Sequence, residues 1–189
     1  GCKNCDATRE NPFVDVDEVT HKAFFNAILW AVEEGITTGT GDGTTFNPNG
    51  RCDRATIVTF LWRAAGEPEP ATTVNPFVDV NEGHFFYKAV LWAYENGITT
   101  GTDATHFNPF AKCTRAQVVT FLWRAAGKPE VEADVTFTDV EDGKFYTEAV
   151  AWAVANGITT GMGDTGTFGV DGICNRAQVV TFLCRAFAK

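Results

Sequence analysis

One eleven-residue string occurs three times in this chain. It reads Arg-Ala-Thr-Ile-Val-Thr-Phe-Leu-Trp-Arg-Ala from Arg54, Arg-Ala-Gln-Val-Val-Thr-Phe-Leu-Trp-Arg-Ala from Arg115 and Arg-Ala-Gln-Val-Val-Thr-Phe-Leu-Cys-Arg-Ala from Arg176. Upstream of each copy stand Phe-x-Asp-Val (Phe13, Phe77, Phe137), Trp-Ala (Trp30, Trp92, Trp152) and Gly-Ile-Thr-Thr-Gly (Gly35, Gly97, Gly157). Cys52, Cys113 and Cys174 follow the same period, 61 residues apart each time. A period this long exceeds most solenoid repeats, so each unit carries more than one element of secondary structure.

Within a unit, the apolar run from Phe24 to Glu34 ends in Glu-Glu-Gly, or in Asn-Gly in the other copies, and reads as a helix. Gly35, Gly97 and Gly157 sit where a C′ residue with positive φ is wanted, and the following Ile supplies the contact of a Schellman motif. This helix is apolar around most of its circumference and is expected to be buried centrally. A loop rich in Gly, Thr, Asp and Pro follows, with one apolar anchor per copy at Phe46, Phe107 and Phe168. Asp53, Thr114 and Asn175 are N-caps of a second helix, with Gln117 and Gln178 completing capping boxes. Gly66 then Pro68, and Gly127 then Pro129, stop that helix.

Each unit thus reads as a helix-loop-helix hairpin, and 67–75 and 128–134 as surface connectors. One such unit buries too little apolar area to offset its chain entropy, so the three are expected to pack together. The expected fold class is all-α: three helix-loop-helix repeats packed as a pseudo-threefold, three-pronged helical module, with an open superhelix as the alternative. The expected boundaries are an extension over 1–12 and repeats over 13–70, 71–130 and 131–189.

The 189 residues carry 15 Lys+Arg against 24 Asp+Glu, a formal charge of −9. That balance argues against a nucleic-acid binder, which needs a basic footprint. No run of 18 apolar residues and no charged segment ahead of an apolar stretch appears, so neither a membrane span nor a signal peptide is read here. The sequence is compatible with a mature or excised part of a secreted protein. His21, His84 and His106 occupy unmatched places, and no Ser-His-Asp set, phosphate loop or paired-acid motif stands out. No enzyme activity is therefore expected, and no cofactor. The acidic loops around Asp42, Asp103 and Asp164 lack the alternating calcium pattern with its distal Glu.

Arg54, Arg115 and Arg176 each follow an N-cap directly, where a cation opposes the helix dipole at a cost of a few tenths of a kcal/mol. One reading pairs each Arg with a loop Asp or with backbone carbonyls of the adjacent repeat. The other is an anion site, in which free helix N–H groups and a guanidinium grip a carboxylate or phosphate. An Arg in the first turn adds little to its helix, so its removal is expected to leave helical content unchanged. Arg63, Arg124 and Arg185, near the helix C-termini, read as dipole-compatible surface charges.

Taken together, Phe-x-Asp-Val, the Trp-Ala helix, Gly-Ile-Thr-x-Gly, Phe-x-Pro and Thr-Arg-Ala-Gln resemble the S-layer homology domain, in three tandem copies covering nearly the whole chain. The resemblance implies a module that holds a larger surface polypeptide on the cell-wall polysaccharide of Gram-positive bacteria. The implied ligand is an anionic, commonly pyruvylated, sugar gripped in grooves between repeats. Carried over by position, the ligand-contacting Arg residues are Arg54, Arg115 and Arg176, and the loop maps onto Thr38 and Gly39, Thr100 and Gly101, and Thr160 and Gly161. Where the family's motif often ends in Glu, this chain has Thr56, Gln117 and Gln178. Thr38, Thr100 and Thr160 stand where a basic residue is common, and the third copy has Gly169 and Val170 in place of Asn and Pro. Asp15, Asp79 and Asp139 either contact a sugar hydroxyl or act as turn and pairing residues. The Trp residues read as core first, with one groove-lining Trp or Tyr per repeat allowed. Cys52, Cys113 and Cys174 read as buried thiols, and Cys2-Lys-Asn-Cys5 as a disulfide or reactive pair. The competing reading is a structural or adhesive module with degenerate grooves, which binds protein.

Overall fold

The computed structural model describes residues 10–133 and 135–188; the Cys2-Lys-Asn-Cys5 segment lies outside them. The described residues are all-α, with α1 (Phe25–Glu33), α2 (Arg54–Ala64), α3 (Tyr87–Glu95), α4 (Arg115–Ala125), α5 (Thr147–Ala155) and α6 (Arg176–Phe187). Among the described residues a single 3-10 turn spans Gly163–Thr165, and the β-pairing is confined to isolated bridges.

Local chemistry sets the helix ends. Gly35 has φ +67°, its N–H bonds Val32 O at 3.0 Å, and the Ile36 N–H bonds Ala31 O at 2.8 Å, which is the Schellman pattern. The same closure ends α3 at Gly97 and α5 at Gly157. At the second helices, Thr114 with Gln117 and Asn175 with Gln178 form reciprocal capping boxes. Asp53 caps α2 from one side only, because Thr56 turns its hydroxyl onto the Asp53 carboxylate at 2.6 Å instead of reaching back.

The helices of one repeat are not packed as a hairpin. Helix α1 packs on α6, α3 on α2 and α5 on α4, while α2, α4 and α6 touch one another. Every first helix therefore lies against the second helix of the preceding repeat in cyclic order. This corrects both the hairpin reading and the expected central burial of the first helix. The second helices hold the centre, and each first helix covers one of them from outside. The connecting loop causes the exchange: its anchors Phe46, Phe107 and Phe168 are completely buried, so the chain travels around its neighbour before starting the next helix.

Three chain segments meet ahead of the second helices. The Cys52 N–H donates to Cys174 O at 3.0 Å, Cys113 N–H to Cys52 O at 3.2 Å, and Cys174 N–H to Cys113 O at 3.2 Å, a closed ring of backbone bonds. The three side chains are buried and unbridged. Their removal from water pushes each thiol from 9.0 up to about 12. A thiol that stays protonated in the fold but ionises in the unfolded chain contributes stability fully present below the unfolded pKa. That contribution is lost as pH rises through the folded pKa. The denaturation midpoint is therefore expected to fall between pH 9.0 and about 12. Near neutral pH a thiol reagent is expected to label these positions only after denaturation. Fast labelling of all three in native protein would overturn the buried-thiol assignment.

Candidate functional site between repeats

The three N-terminal arginines reach across to the next repeat. Arg54 Nε donates to Phe107 O at 2.7 Å, Arg115 Nε to Phe168 O at 2.9 Å and Arg176 Nε to Phe46 O at 2.8 Å. A second nitrogen of each donates to a threonine hydroxyl, Thr99 at 3.4 Å, Thr159 at 3.1 Å and Thr37 at 3.5 Å. Each guanidinium also lies between two rings: Arg54 over Phe107 and Phe121, Arg115 over Phe168 and Phe182, Arg176 over Phe46 and Phe60, all within 5.4 Å. Arg54 and Arg115 are 5% exposed. Burial lowers the pKa of all three, yet a guanidinium remains cationic at any physiological pH.

The helix N-termini are not open. Arg54 and Ala55 donate their N–H groups to Ala111 O and Pro109 O, Arg115 and Ala116 to Gly172 O and Val170 O, and Arg176 and Ala177 to Gly50 O and Pro48 O. The expected free N–H groups are thus consumed by loop carbonyls of the neighbouring repeat. Those carbonyl dipoles also offset the unfavourable placement of a cation at the first helical position. The expectation that these arginines matter little to the helices changes with it, since each ties two repeats together.

Asp15, Asp79 and Asp139 hold the same loops from the other side. Asp15 accepts from Phe46 N and Asn47 N, Asp79 from Phe107 N and Asn108 N, and Asp139 from Phe168 N, Gly169 N and Val170 N, all at 2.7–3.0 Å. The third bond is possible because Val170 keeps the N–H that Pro48 and Pro109 lack. Asn47 and Asn108 have φ +57° and +55°, a region Gly169 enters at +81° without a side chain, which accounts for the change of residue there.

The Gly-Ile-Thr-Thr-Gly loop is pinned twice. Arg63, Arg124 and Arg185 donate to Ile36 O, Ile98 O and Ile158 O at 2.9–3.2 Å within their own repeats, so they are not bare surface charges. The buried Thr37, Thr99 and Thr159 receive the arginine of the preceding repeat and accept from the N–H of Gly39, Gly101 and Gly161. A Cβ on Gly101 would come within 2.6 Å of the Phe77 ring at φ +85°, so only glycine closes the loop there. Thr38, Thr100 and Thr160 are left exposed.

Between repeats these parts frame grooves. One of about 440 Å³ is lined by Arg54, Thr99, Thr100, Gly101, Thr102, Gln117, Arg124 and Phe145, and so draws on all three repeats. Its counterpart of about 250 Å³ is lined by Arg115, Thr160, Gly161, Met162, Gln178, Arg185 and Phe24. Each groove joins two guanidinium groups with an exposed threonine, two helix glutamine or threonine side chains and an aromatic rim.

The S-layer homology domain matches residues 12–57, 76–119 and 136–180, most of the chain and in register with the three repeats. The chain belongs to the S-layer homology domain family. It is 34% identical over 137 residues, 71% of its length, to a surface-layer 125 kDa protein of Lysinibacillus sphaericus, of which it covers 11%. Over 124 residues it is 29% identical to an endoglucanase of Bacillus sp. (strain KSM-635), covering 13% of that protein. A cell surface protein of Thermoanaerobacter kivui is 30% identical over 125 residues, with 16% of it covered. The chain therefore spans less than a fifth of the relatives it matches.

Of the residues read from the S-layer homology motifs, each arginine meets the threonine-glycine loop of the next repeat, whereas Asp15, Asp79 and Asp139 sit behind that loop. Sequence reading passed over Thr37, Thr99 and Thr159 in favour of the exposed threonine beside each. It also passed over Arg124 and Arg185 as groove residues, although the string Thr-Phe-Leu-x-Arg repeats as faithfully as Arg-Ala. The groove rings are Phe121, Phe145, Phe182 and Phe24, and no Trp or Tyr lines these two grooves.

Proposed function

We propose that this S-layer homology module anchors a larger surface polypeptide by gripping an anionic cell-wall polysaccharide in the grooves between its repeats. Its place is the cell surface, where the family serves as a wall-binding module. No helix among the described residues is long and apolar enough to cross a membrane. Paired arginines carry the reading: in a chain of net charge −9, Arg54 with Arg124 and Arg115 with Arg185 concentrate positive charge inside concave, half-sheltered grooves. An acidic sugar substituent such as a pyruvyl ketal presents the planar carboxylate that a guanidinium binds in bidentate fashion. Thr100, Gly101, Thr160 and Gly161 offer hydroxyl and backbone groups to the sugar, and Thr38 and Gly39 hold the matching place in the first repeat. In this reading Asp15, Asp79 and Asp139 shape the loop and do not touch the ligand. The cyclic exchange of helices, with α1 on α6 bringing the first and third repeats together, supports a pseudo-threefold, three-pronged module over an open superhelix.

Arg124 tests the proposal with little structural cost, because it is half-buried and ties only its own repeat. Arg124→Ala is expected to weaken binding of pyruvylated wall glycan by tenfold to a hundredfold, the worth of roughly 1.5–3 kcal/mol for a charge-assisted contact. Circular dichroism should be unchanged. Isothermal titration against glycan with and without its acid decides the matter. Equal affinity for both glycans would remove the carboxylate from the mechanism, and no glycan binding at all would favour a protein-adhesive module.

A further inference from the structure

The grooves are not equivalent, and the difference lies in two positions that change together in the third repeat. Thr102 and Asn108 of the second repeat become Met162 and Gly169. In the second repeat Asn108 donates its amide at 2.5 Å to the hydroxyl of Thr102, which lines the wide groove. In the third, a Cβ on Gly169 would lie 2.8 Å from Met162 Cγ and 3.5 Å from Arg115 Cδ. The methionine thus occupies the space an asparagine would need and lies beside the stem of Arg115. Its groove measures about 250 Å³ against about 440 Å³ for the other. The aromatic rims differ too, since Phe145 is 57% exposed while Phe24 is half-buried.

We infer that Met162 is a specificity-determining residue that weakens the Arg115 groove, leaving the groove of Arg54, Arg124 and Phe145 as a principal site for an acidic sugar. This rests on the glycan-binding reading above. A thioether has no hydrogen-bond donor and is only a weak acceptor, so it cannot replace the Thr102–Asn108 pair for a hydroxylated ligand. The flat exposed ring of Phe145 meanwhile offers an apolar face to a sugar ring.

The test follows backbone amide shifts of the whole chain by NMR during titration with the methyl glycoside of a 4,6-O-pyruvylated N-acetylhexosamine. Gly101 reports the wide groove and Gly161 the narrow one. In the wild type, Gly101 is expected to saturate at about tenfold lower ligand concentration than Gly161. M162T/G169N should bring Gly161 to within about threefold of Gly101 without moving the Gly101 midpoint. M162A, which leaves Gly169 in place, should recover part of the difference if the double variant folds poorly. Equal midpoints in the wild type, or a Gly161 midpoint unmoved in both variants, would overturn the role of Met162. Shifts at neither glycine would overturn the glycan reading itself, and this assignment with it.

Discussion

A polypeptide spanning only residues 13–66, which holds both helices of the first repeat, is expected to lack stable structure, whereas the three-repeat chain unfolds cooperatively. The cause is the exchange of partners. Within that segment α1 has lost α6, the helix it packs on, and α2 has lost both α3 and the other central helices. The N–H groups of Arg54 and Ala55 lose Ala111 O and Pro109 O, and Phe46 O loses Arg176. Without partners, helices of 9 and 11 residues are too short to persist in water. Circular dichroism on both polypeptides, with thermal melting, checks this. A single repeat that melts as sharply as the whole would mean that its two helices satisfy each other.

Arg54 is the position where structure and binding are hardest to separate, and two substitutions divide them. Arg54→Ala is expected to cost roughly 2–4 kcal/mol of unfolding free energy, because it strands the buried Phe107 carbonyl and removes a cation from between two rings. It should also abolish measurable glycan binding in that groove. Arg54→Lys keeps the charge but has no planar fork, so it should recover part of the stability and leave binding about tenfold or more below wild type. Chemical denaturation and calorimetric titration on the same samples read the two effects. If Arg54→Ala left stability unchanged, the bridge to Phe107 would contribute nothing; if Arg54→Lys bound like wild type, geometry would not matter at the groove.

The helices themselves were legible residue by residue. Gly35, Gly97 and Gly157 end a helix wherever they occur because positive φ is cheap only for glycine, and Asp53, Thr114 and Asn175 begin one because a side-chain oxygen satisfies an orphan N–H. Such signals act over three or four residues, so the sequence alone suffices to place them. The buried anchors Phe46, Phe107 and Phe168 and the thiols of Cys52, Cys113 and Cys174 were legible for a related reason, since an apolar residue recurring in a polar loop needs somewhere to be buried.

Partnership was not legible, and near-identical repeats explain why. When three copies carry the same apolar stripes, α1 fits α2 and α6 equally well as far as composition and period can say. What decides is the path of the loop around Phe46 and the closed ring at the cysteines, both set by contacts between segments far apart in the chain. The arginines show the same limit. At the first turn of a helix, Arg54 reads equally as a partner of carbonyls in the adjacent repeat and as an anion site beside free N–H groups; the first holds, with a carbonyl partner 53 residues away for Arg54 and 130 away for Arg176. Sequence determined that this chain is three copies of one helical unit bearing a cation at a fixed place in each. Only the tertiary structure decided that each cation is shared between two copies, because a hydrogen-bond partner is chosen by position in space, and no local pattern encodes it.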